Sequence, residues 1–176
     1  RYKGAHDLIL DHFTQLRAEI LIGTQMLAKG LDLPLVTLVG VVLADTSLNL
    51  PDFRAAERTF QLLTQVAGRA GRSGRGGRVI LQTFHPEHYA IQAAASYDMH
   101  GFRDKELAYR QTMNYPPYSK LLKVEIRSTD EKDAQTAALA ISDQLAARIN
   151  AQGYTTHALI GPVPCFYEKR AGYYRW

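Results

Sequence analysis

Residues 65–72 read Gln-Val-Ala-Gly-Arg-Ala-Gly-Arg, and the interpretation of the whole chain starts from this stretch. Arg69 and Arg72 are three residues apart, so both lie on one side of a helical turn. Gly68 and Gly71 precede them and remove side-chain bulk beside each arginine. A guanidinium is always charged and presents a planar set of donors, which suits the charge on a transferring phosphoryl group. The alternative is a solvated basic helix end, which the helix dipole also favours.

Around this stretch, continuous apolar runs alternate with segments of helical periodicity. The runs are typical of strands buried within a parallel sheet, and they predict strands at residues 20–22, 36–43 and 79–84. The spacing of apolar residues predicts one helix over residues 6–17 and a second from Arg54 to the arginine stretch. This order predicts an α/β lobe over residues 1–85, with a parallel sheet between layers of helices.

A change of sequence style separates a second, smaller domain. Residues 86–113 predict a long connecting helical segment, and the two prolines within residues 114–118 prevent the helix from continuing. Residues 114–176 predict an α+β domain that we expect to be cut short at Trp176. Its predicted elements are an alternating strand at 122–127, a helix opened by a capping box of Ser128 and Glu131 and closed by Gly153, and a strand at 155–160.

The composition is ordinary for a globular protein, with a mild basic bias. The 176 residues are 46% hydrophobic and 22% charged, and the net charge of +4 is compatible with a nucleic-acid partner. The single cysteine, Cys165, excludes an intrachain disulfide and a cysteine-rich metal site. No apolar run approaches the roughly 18 residues of a membrane span, so we expect no membrane partner. Because the chain begins at Arg1 without a methionine, we expect it to be a piece of a longer protein.

A second motif, residues 23–32, follows the first predicted strand and reads Gly-Thr-Gln-Met-Leu-Ala-Lys-Gly-Leu-Asp. Parallel α/β sheets place ligand sites at the carboxyl ends of their strands. There the Thr24 hydroxyl could hold a phosphate, and Asp32 could link a nucleotide site to a nucleic-acid groove. The alternative is an ordinary turn in which Thr24 caps a helix. The presence of both motifs on one lobe favours the functional interpretation over a chance match.

Together the two motifs resemble motifs V and VI of superfamily 2 helicases, which lie in the second of two RecA-like lobes. Residues 51–58, 161–164 and 169–176 narrow the resemblance to the bacterial primosomal helicases that restart replication. The resemblance covers nearly the whole chain and is most specific between residues 20 and 84. It implies a RecA-like helicase lobe followed by a smaller α+β domain.

The resemblance implies part of an ATP-dependent 3′-to-5′ DNA helicase that recognises stalled or recombined forks and initiates primosome assembly. Its partners would be forked DNA, single-stranded DNA, the single-stranded DNA-binding protein and other primosome proteins, in the bacterial cytoplasm near the nucleoid. Its cofactors would be ATP and Mg²⁺, at sites completed by a first lobe. Zn²⁺ is expected in the full-length family and not in this chain.

The same resemblance implies a role for each motif residue. Arg72 would be the arginine finger, Arg69 its partner on the phosphates, and Gln65 a neighbour of the nucleotide and the attacking water. Thr24 would contact the DNA backbone. The nucleotide-binding positions would be Gly68, Gly71, Gly30 and Asp32. Gly30 and Asp32 would also couple the nucleotide site to the DNA site.

The chain departs from the complete family pattern because it contains no phosphate loop and no acidic Mg²⁺ motif. We therefore predict that the chain alone hydrolyses no ATP. One alternative is another superfamily 2 translocase, of the RecG branch-migration type. A second is a non-catalytic module that docks DNA or a partner. The residues upstream of Arg1 would discriminate among these possibilities.

The final residues interleave cations with aromatic rings, a composition that can neutralise phosphates and stack bases. The residues that would contact DNA are Lys169, Arg170, Tyr173, Arg175 and Trp176. The alternative is a β-hairpin turning at residues 171–172 whose rings pack on the domain core. Asp45 and residues 53–58 also match family positions, and we interpret both as sites of ion pairing or packing.

Overall fold

The computed structural model describes residues 4–24, 35–70, 77–153 and 158–176. The chain divides into two compact units, Arg1–Ser119 and Lys120–Trp176. The division lies shortly after the proline segment that suggested a boundary at residue 114. The connecting segment, residues 86–113, belongs to the first unit, because its helices pack against the helix that carries the arginine stretch.

The first unit contains four helices and two strands within the described residues. In chain order they are α1 (Ala5–Thr14), β1 (Leu38–Val41), α2 (Ala55–Ala70), β2 (Arg78–Leu81), α3 (Tyr89–Ser96) and α4 (Met99–Thr112). Strands β1 and β2 pair in parallel, with Leu38 opposite Arg78 and Val41 opposite Leu81. Helix α2 connects them, which is the βαβ arrangement expected of an α/β lobe.

Two predictions for this unit are wrong. Residues 20–22 form no strand, and Ile22 is 90% exposed. Among the described residues no strand pairs with this apolar run, so its backbone N–H and C=O groups form no sheet hydrogen bonds. The single helix predicted between residues 87 and 111 is two helices. Tyr97 adopts a left-handed conformation with φ of 55°, and the Asp98 carboxylate accepts a hydrogen bond from the Gly101 N–H at 2.8 Å. Asp98 therefore caps a new helix and ends the continuity with α3.

The core of the first unit lies between α2, α3 and α4. Phe60 of α2 and Phe102 of α4 stack with ring centroids 4.1 Å apart and planes 2° from parallel. Leu63 is fully buried on the same face of α2. Helix α3 contributes mostly alanines, whose small side chains allow the close packing of neighbouring helices: Ala90, Ala93 and Ala94. This packing fixes the helix that carries the arginine stretch.

The second unit is a helix beside a small antiparallel sheet. Its elements are β3 (Arg127–Ser128), α5 (Glu131–Ala151), β4 (Lys169–Arg170) and β5 (Tyr173–Arg175). The strand order is β3-β5-β4. Ala134 and Ala138 are the buried residues of α5.

The beginning of the second unit differs from the prediction in two details. Strand β3 is shorter than the alternation suggested, although Ile126 and Trp176 exchange two backbone hydrogen bonds at 2.8 and 3.0 Å. The predicted capping box is wrong, because the Asp130 carboxylate caps α5 by accepting from the Asp133 N–H at 3.1 Å. Ser128 instead accepts from the Asp130 N–H. Asp130 directly precedes the helix, so it takes the capping position, and Ser128 lies two residues too early to cap it.

The strand predicted at residues 155–160 falls partly outside the described residues. Residues 158–160 carry no strand, and Ile160 is exposed. Among the described helices, none is long and apolar enough to cross a membrane.

Candidate functional site

Helix α2 carries the described part of the arginine motif. Gln65 lies on the exposed side of the helix, and the backbone of Arg69 belongs to its last turn. Thr24 is exposed in a segment without regular secondary structure. The other predicted nucleotide-site residues lie outside the described part of the chain: Gly30, Asp32, Gly71 and Arg72.

The carboxyl-terminal end of α2 is held by Tyr97. The Tyr97 hydroxyl donates a hydrogen bond to the Thr64 carbonyl oxygen at 3.3 Å, and a Cβ atom placed on Gly68 would lie 3.4 Å from the same hydroxyl. The glycine therefore permits a close approach of the tyrosine to the helix just before Arg69. A cleft of about 550 Å³ opens beside this contact, lined by Ala67, Gly68, Gly77, Val79, Ala94 and Tyr97 among others.

The amino-terminal end of α2 is held by an ion-pair network in which Arg110 and Glu106 are largely buried and Glu57 is half-buried. The Arg110 guanidinium of α4 donates to Glu57 of α2 at 2.7 Å and to Glu106 of its own helix at 2.7 Å. The Tyr89 hydroxyl donates to the second oxygen of Glu106 at 2.6 Å. Arg110 also donates to the Pro116 carbonyl oxygen at 3.3 Å. One guanidinium thus joins α2, α4 and the proline segment.

Burial and hydrogen bonding have opposite effects on the pKa of Arg110 in this network. Burial disfavours the charge on Arg110, but the hydrogen bonds to Glu57 and Glu106 outweigh burial and raise the Arg110 pKa. Burial, followed by the hydrogen bond to Glu106, raises the pKa of Tyr89. No sequence pattern predicted a role for Arg110, and the available signal was the spacing of four residues between Glu106 and Arg110.

Residues 53–58 form ion pairs and ring contacts, in line with their interpretation from the sequence. The Asp52 carboxylate accepts from the Arg54 N–H at 3.0 Å and pairs with Arg58 at 2.7 Å. Burial opposes ionisation, but these hydrogen bonds and charges lower the Asp52 pKa. The Phe53 ring lies 5.6 Å from the Tyr115 ring, and the Arg110 guanidinium lies 5.2 Å from it.

Asp45 is a buried carboxylate at the carboxyl end of the sheet. Its Oδ2 accepts a hydrogen bond from the Phe84 N–H at 3.2 Å, which links the segments that follow β1 and β2. Its Oδ1 is buried and has no hydrogen-bond partner among residues 4–24, 35–70, 77–153 and 158–176. Asp45 follows the carboxyl end of β1, whereas the arginine end of α2 precedes the amino end of β2 in the chain. Asp45 and the arginine end of α2 therefore belong to opposite edges of the parallel sheet.

The terminal basic and aromatic residues form a β-hairpin. Strands β4 and β5 pair antiparallel, and the turn residues Ala171 and Gly172 have φ of 52° and 87°. Two positive φ values are typical of a type I′ turn, whose twist matches that of the flanking strands. The Lys169 ammonium donates to the Tyr174 hydroxyl at 3.2 Å and lies 4.3 Å from the ring centroid.

The hairpin cations differ in their availability. Lys169 and Arg170 are exposed, whereas the Arg175 side chain is 14% exposed. Arg175 donates two hydrogen bonds to Glu125, at 2.7 and 2.8 Å. The hydrogen bonds from Arg175 and then Arg127 lower the Glu125 pKa, so the stabilisation is present above the ordinary glutamate pKa and disappears as the pH falls. Since its charge is matched within the chain, Arg175 is a weaker candidate for phosphate contact than the other two cations.

The described residues contain no group of three or more His, Cys, Asp or Glu side chains that could hold a metal ion.

The sequence matches two family models. Residues 3–74 match the helicase conserved C-terminal domain, and residues 111–176 match the primosomal protein N C-terminal domain. The chain is 46% identical over 179 residues to the replication restart protein PriA of Synechocystis sp., covering 100% of this chain and 21% of that protein. It is 50% identical to PriA of Bacillus subtilis, covering 85% of this chain and 18% of that protein. It is 42% identical to PriA of Treponema pallidum, covering 94% of this chain and 25% of that protein. The chain thus spans between about a fifth and a quarter of the length of these curated relatives.

Proposed function

Because this chain belongs to the PriA family of replication restart proteins, we propose that it supplies the second motor lobe and the C-terminal domain of an ATP-dependent 3′-to-5′ DNA helicase. In this proposal the helicase recognises stalled or recombined forks and initiates primosome assembly. All three relatives described above have the replication restart name, which favours this function over RecG-type branch migration.

The observation that carries the proposal is the position of Gln65 and the backbone of Arg69, the described part of the arginine motif, in the last turns of α2. The helix presents Gln65 to solvent and includes the backbone of Arg69, and Arg110 and Tyr97 contact it near its two described ends. A fixed helix with Arg69 in its last described turn, and Arg72 three residues later in the sequence, supports the stabilisation of a transferring phosphoryl group, because such catalysis depends on positioned charge.

We assign the nucleotide chemistry to two lobes. Arg72 reaches the γ-phosphate as the arginine finger, Arg69 contacts the phosphates, and Gln65 orients the attacking water. Mg²⁺, when bound, would neutralise charge on the phosphates, but the sequence offers no phosphate loop and no acidic Mg²⁺ motif. ATP and Mg²⁺ are therefore assigned to sites whose main ligands lie on a first lobe. The remaining proposed nucleotide positions are Gly68, Gly71, Gly30 and Asp32.

We assign DNA contacts to Thr24 and to the terminal hairpin. Lys169 and Arg170 supply exposed charge, and Tyr173 supplies an exposed ring. Trp176, which is half-buried, completes this surface. The proposed partners are forked and single-stranded DNA, the single-stranded DNA-binding protein and other primosome proteins. We place the protein in the cytoplasm near the nucleoid, and we assign Zn²⁺ to the full-length family alone.

An unwinding assay tests the proposed function. The full-length protein is expected to separate a forked duplex with ATP and Mg²⁺, and to hydrolyse ATP faster when DNA is present. The 176-residue chain alone is expected to hydrolyse none, since its sequence lacks a phosphate loop. A full-length protein that binds forks but neither hydrolyses ATP nor unwinds DNA would leave only the docking-module alternative.

Replacing Lys169 and Arg170 together by glutamine is expected to weaken single-stranded DNA binding by the 176-residue chain. The slope of log affinity against log salt should decrease by about 0.7 for each phosphate that the variant no longer neutralises. Fluorescence anisotropy at several salt concentrations measures both quantities. The matched control is Lys132→Gln, an exposed lysine on α5. A lower melting temperature with an unchanged salt slope would instead indicate that the hairpin has a structural role.

A further inference from the structure

Arg110 occupies an unusual position for an arginine of a connecting helix. Its side chain is 12% exposed, and both of its carboxylate partners are at 2.7 Å. We propose that Arg110 is a positioning residue for ATP hydrolysis, which it serves by fixing α2 through Glu57. This inference rests on the proposed helicase function.

The network has the features of a geometric constraint. Arg110 uses its planar donors on two carboxylates and one backbone carbonyl, from three different segments. A lysine ammonium cannot reproduce this fork. Glu106 is in turn oriented by the Tyr89 hydroxyl, which occupies its other oxygen. Each group in the network is therefore held by another one.

Stability alone is a weak explanation for such a network. Burying charged groups carries a desolvation penalty, and buried ion pairs are often no more stabilising than apolar residues of similar size. A well-packed apolar contact between α2 and α4 already exists a turn away, where Phe60 stacks on Phe102. What the ion pair adds is a directional contact at the first turn of α2.

The direction of α2 matters because Arg69 of the arginine motif lies in its last described turn, at the opposite end from Glu57. Glu57 and Arg69 are separated by about 18 Å along the helix axis, at 1.5 Å per residue. A small change of tilt at Glu57 therefore displaces Arg69 appreciably. A misplacement of about 1 Å can reduce a catalysed rate by roughly 10²-fold. Breaking the Arg110–Glu57 ion pair should accordingly slow turnover and leave substrate binding intact.

The test compares Arg110→Lys, Arg110→Gln and Glu57→Gln in the full-length helicase. The DNA-stimulated kcat is expected to fall by roughly ten- to a hundredfold, while the KM for ATP and the affinity for forked DNA change by less than about twofold. The double variant Arg110→Gln, Glu57→Gln should be no slower than the slower single variant, because both changes break the same ion pair. All assays are run below the melting temperature of every variant.

The matched control is Arg103→Gln, which removes an exposed ion pair to Asp104 on the same helix and should leave kcat unchanged. Arg110 and Glu57 variants that fold and have normal kcat would overturn the proposal. If none of the variants of this pair folds, the ion pair has a structural role, and the proposal is likewise overturned. If Arg110→Gln alone fails to fold, the other two variants decide. If the unaltered protein hydrolyses no ATP, the proposed function itself fails and this inference falls with it.

Discussion

Replacing Arg72 by alanine in the full-length helicase is expected to lower DNA-stimulated ATP turnover by roughly 10³–10⁵-fold, the contribution of an arginine finger in other NTPases. Unwinding should stop, because it depends on hydrolysis. Binding to forked DNA should persist, since we assign DNA contact to Thr24 and the terminal hairpin. Steady-state ATPase assays, strand separation and anisotropy on one preparation measure the three properties.

Two further variants make the Arg72 experiment specific. Arg72→Lys should recover little activity, because lysine keeps the charge but loses the planar donor fork. Arg75→Ala removes a neighbouring arginine outside the motif and should leave turnover nearly unchanged. An Arg72→Ala enzyme that unwinds forks at a near-normal rate would reduce the motif to a basic helix end.

Replacing Phe60 by alanine is expected to lower the free energy of unfolding of the first unit by about 3–5 kcal/mol, as for other buried aromatic residues. Phe60 is almost completely buried and stacks on Phe102, so truncation removes the ring stacking and leaves a cavity between α2 and α4. Urea unfolding of the 176-residue chain, followed by the helical circular dichroism signal, measures the change.

The control for Phe60 is Gln111→Ala, an exposed residue of α4. Alanine is a good helix former, so this change should alter the free energy of unfolding by less than about 0.5 kcal/mol. A Phe60→Ala chain as stable as the control variant would contradict the packing of the α2, α3 and α4 core.

Apolar periodicity predicted much of the fold because it reflects which face of an element is buried. It located α1, α2 and α5, and the apolar runs located β1 and β2, although alternate residues of both strands are exposed and not buried as predicted. It failed at residues 20–22, because an apolar run specifies a strand only when a neighbouring strand is available. It also failed between α3 and α4. There the Asp98 carboxylate restarts the helix by accepting from the Gly101 N–H, and the spacing of apolar residues does not report such a cap.

The candidate site was predictable where its signal is local. The spacing of residues 65–72, together with the second motif at residues 23–32, predicted the arginine motif, which stays a prediction, and the structure has the hairpin turn at residues 171 and 172. The role proposed for Arg110 depends on Glu57, which lies far away in sequence but 2.7 Å away in space. Single-sequence patterns carry no information about such a long-range pair. The pairing of Arg175 with Glu125 was missed for the same reason.

The type I′ turn at residues 171–172 also limits how this region can diverge in evolution. The two-residue turn sets the register between β4 and β5, in which Arg170 lies opposite Tyr173. Inserting one residue into β5 after the turn would move every later side chain of the strand to the opposite face. Arg175 would then point away from Glu125, and the half-buried carboxylate would lose its bidentate partner. We therefore expect lineages of this family to vary the hairpin by substitution and to avoid single-residue insertions in it.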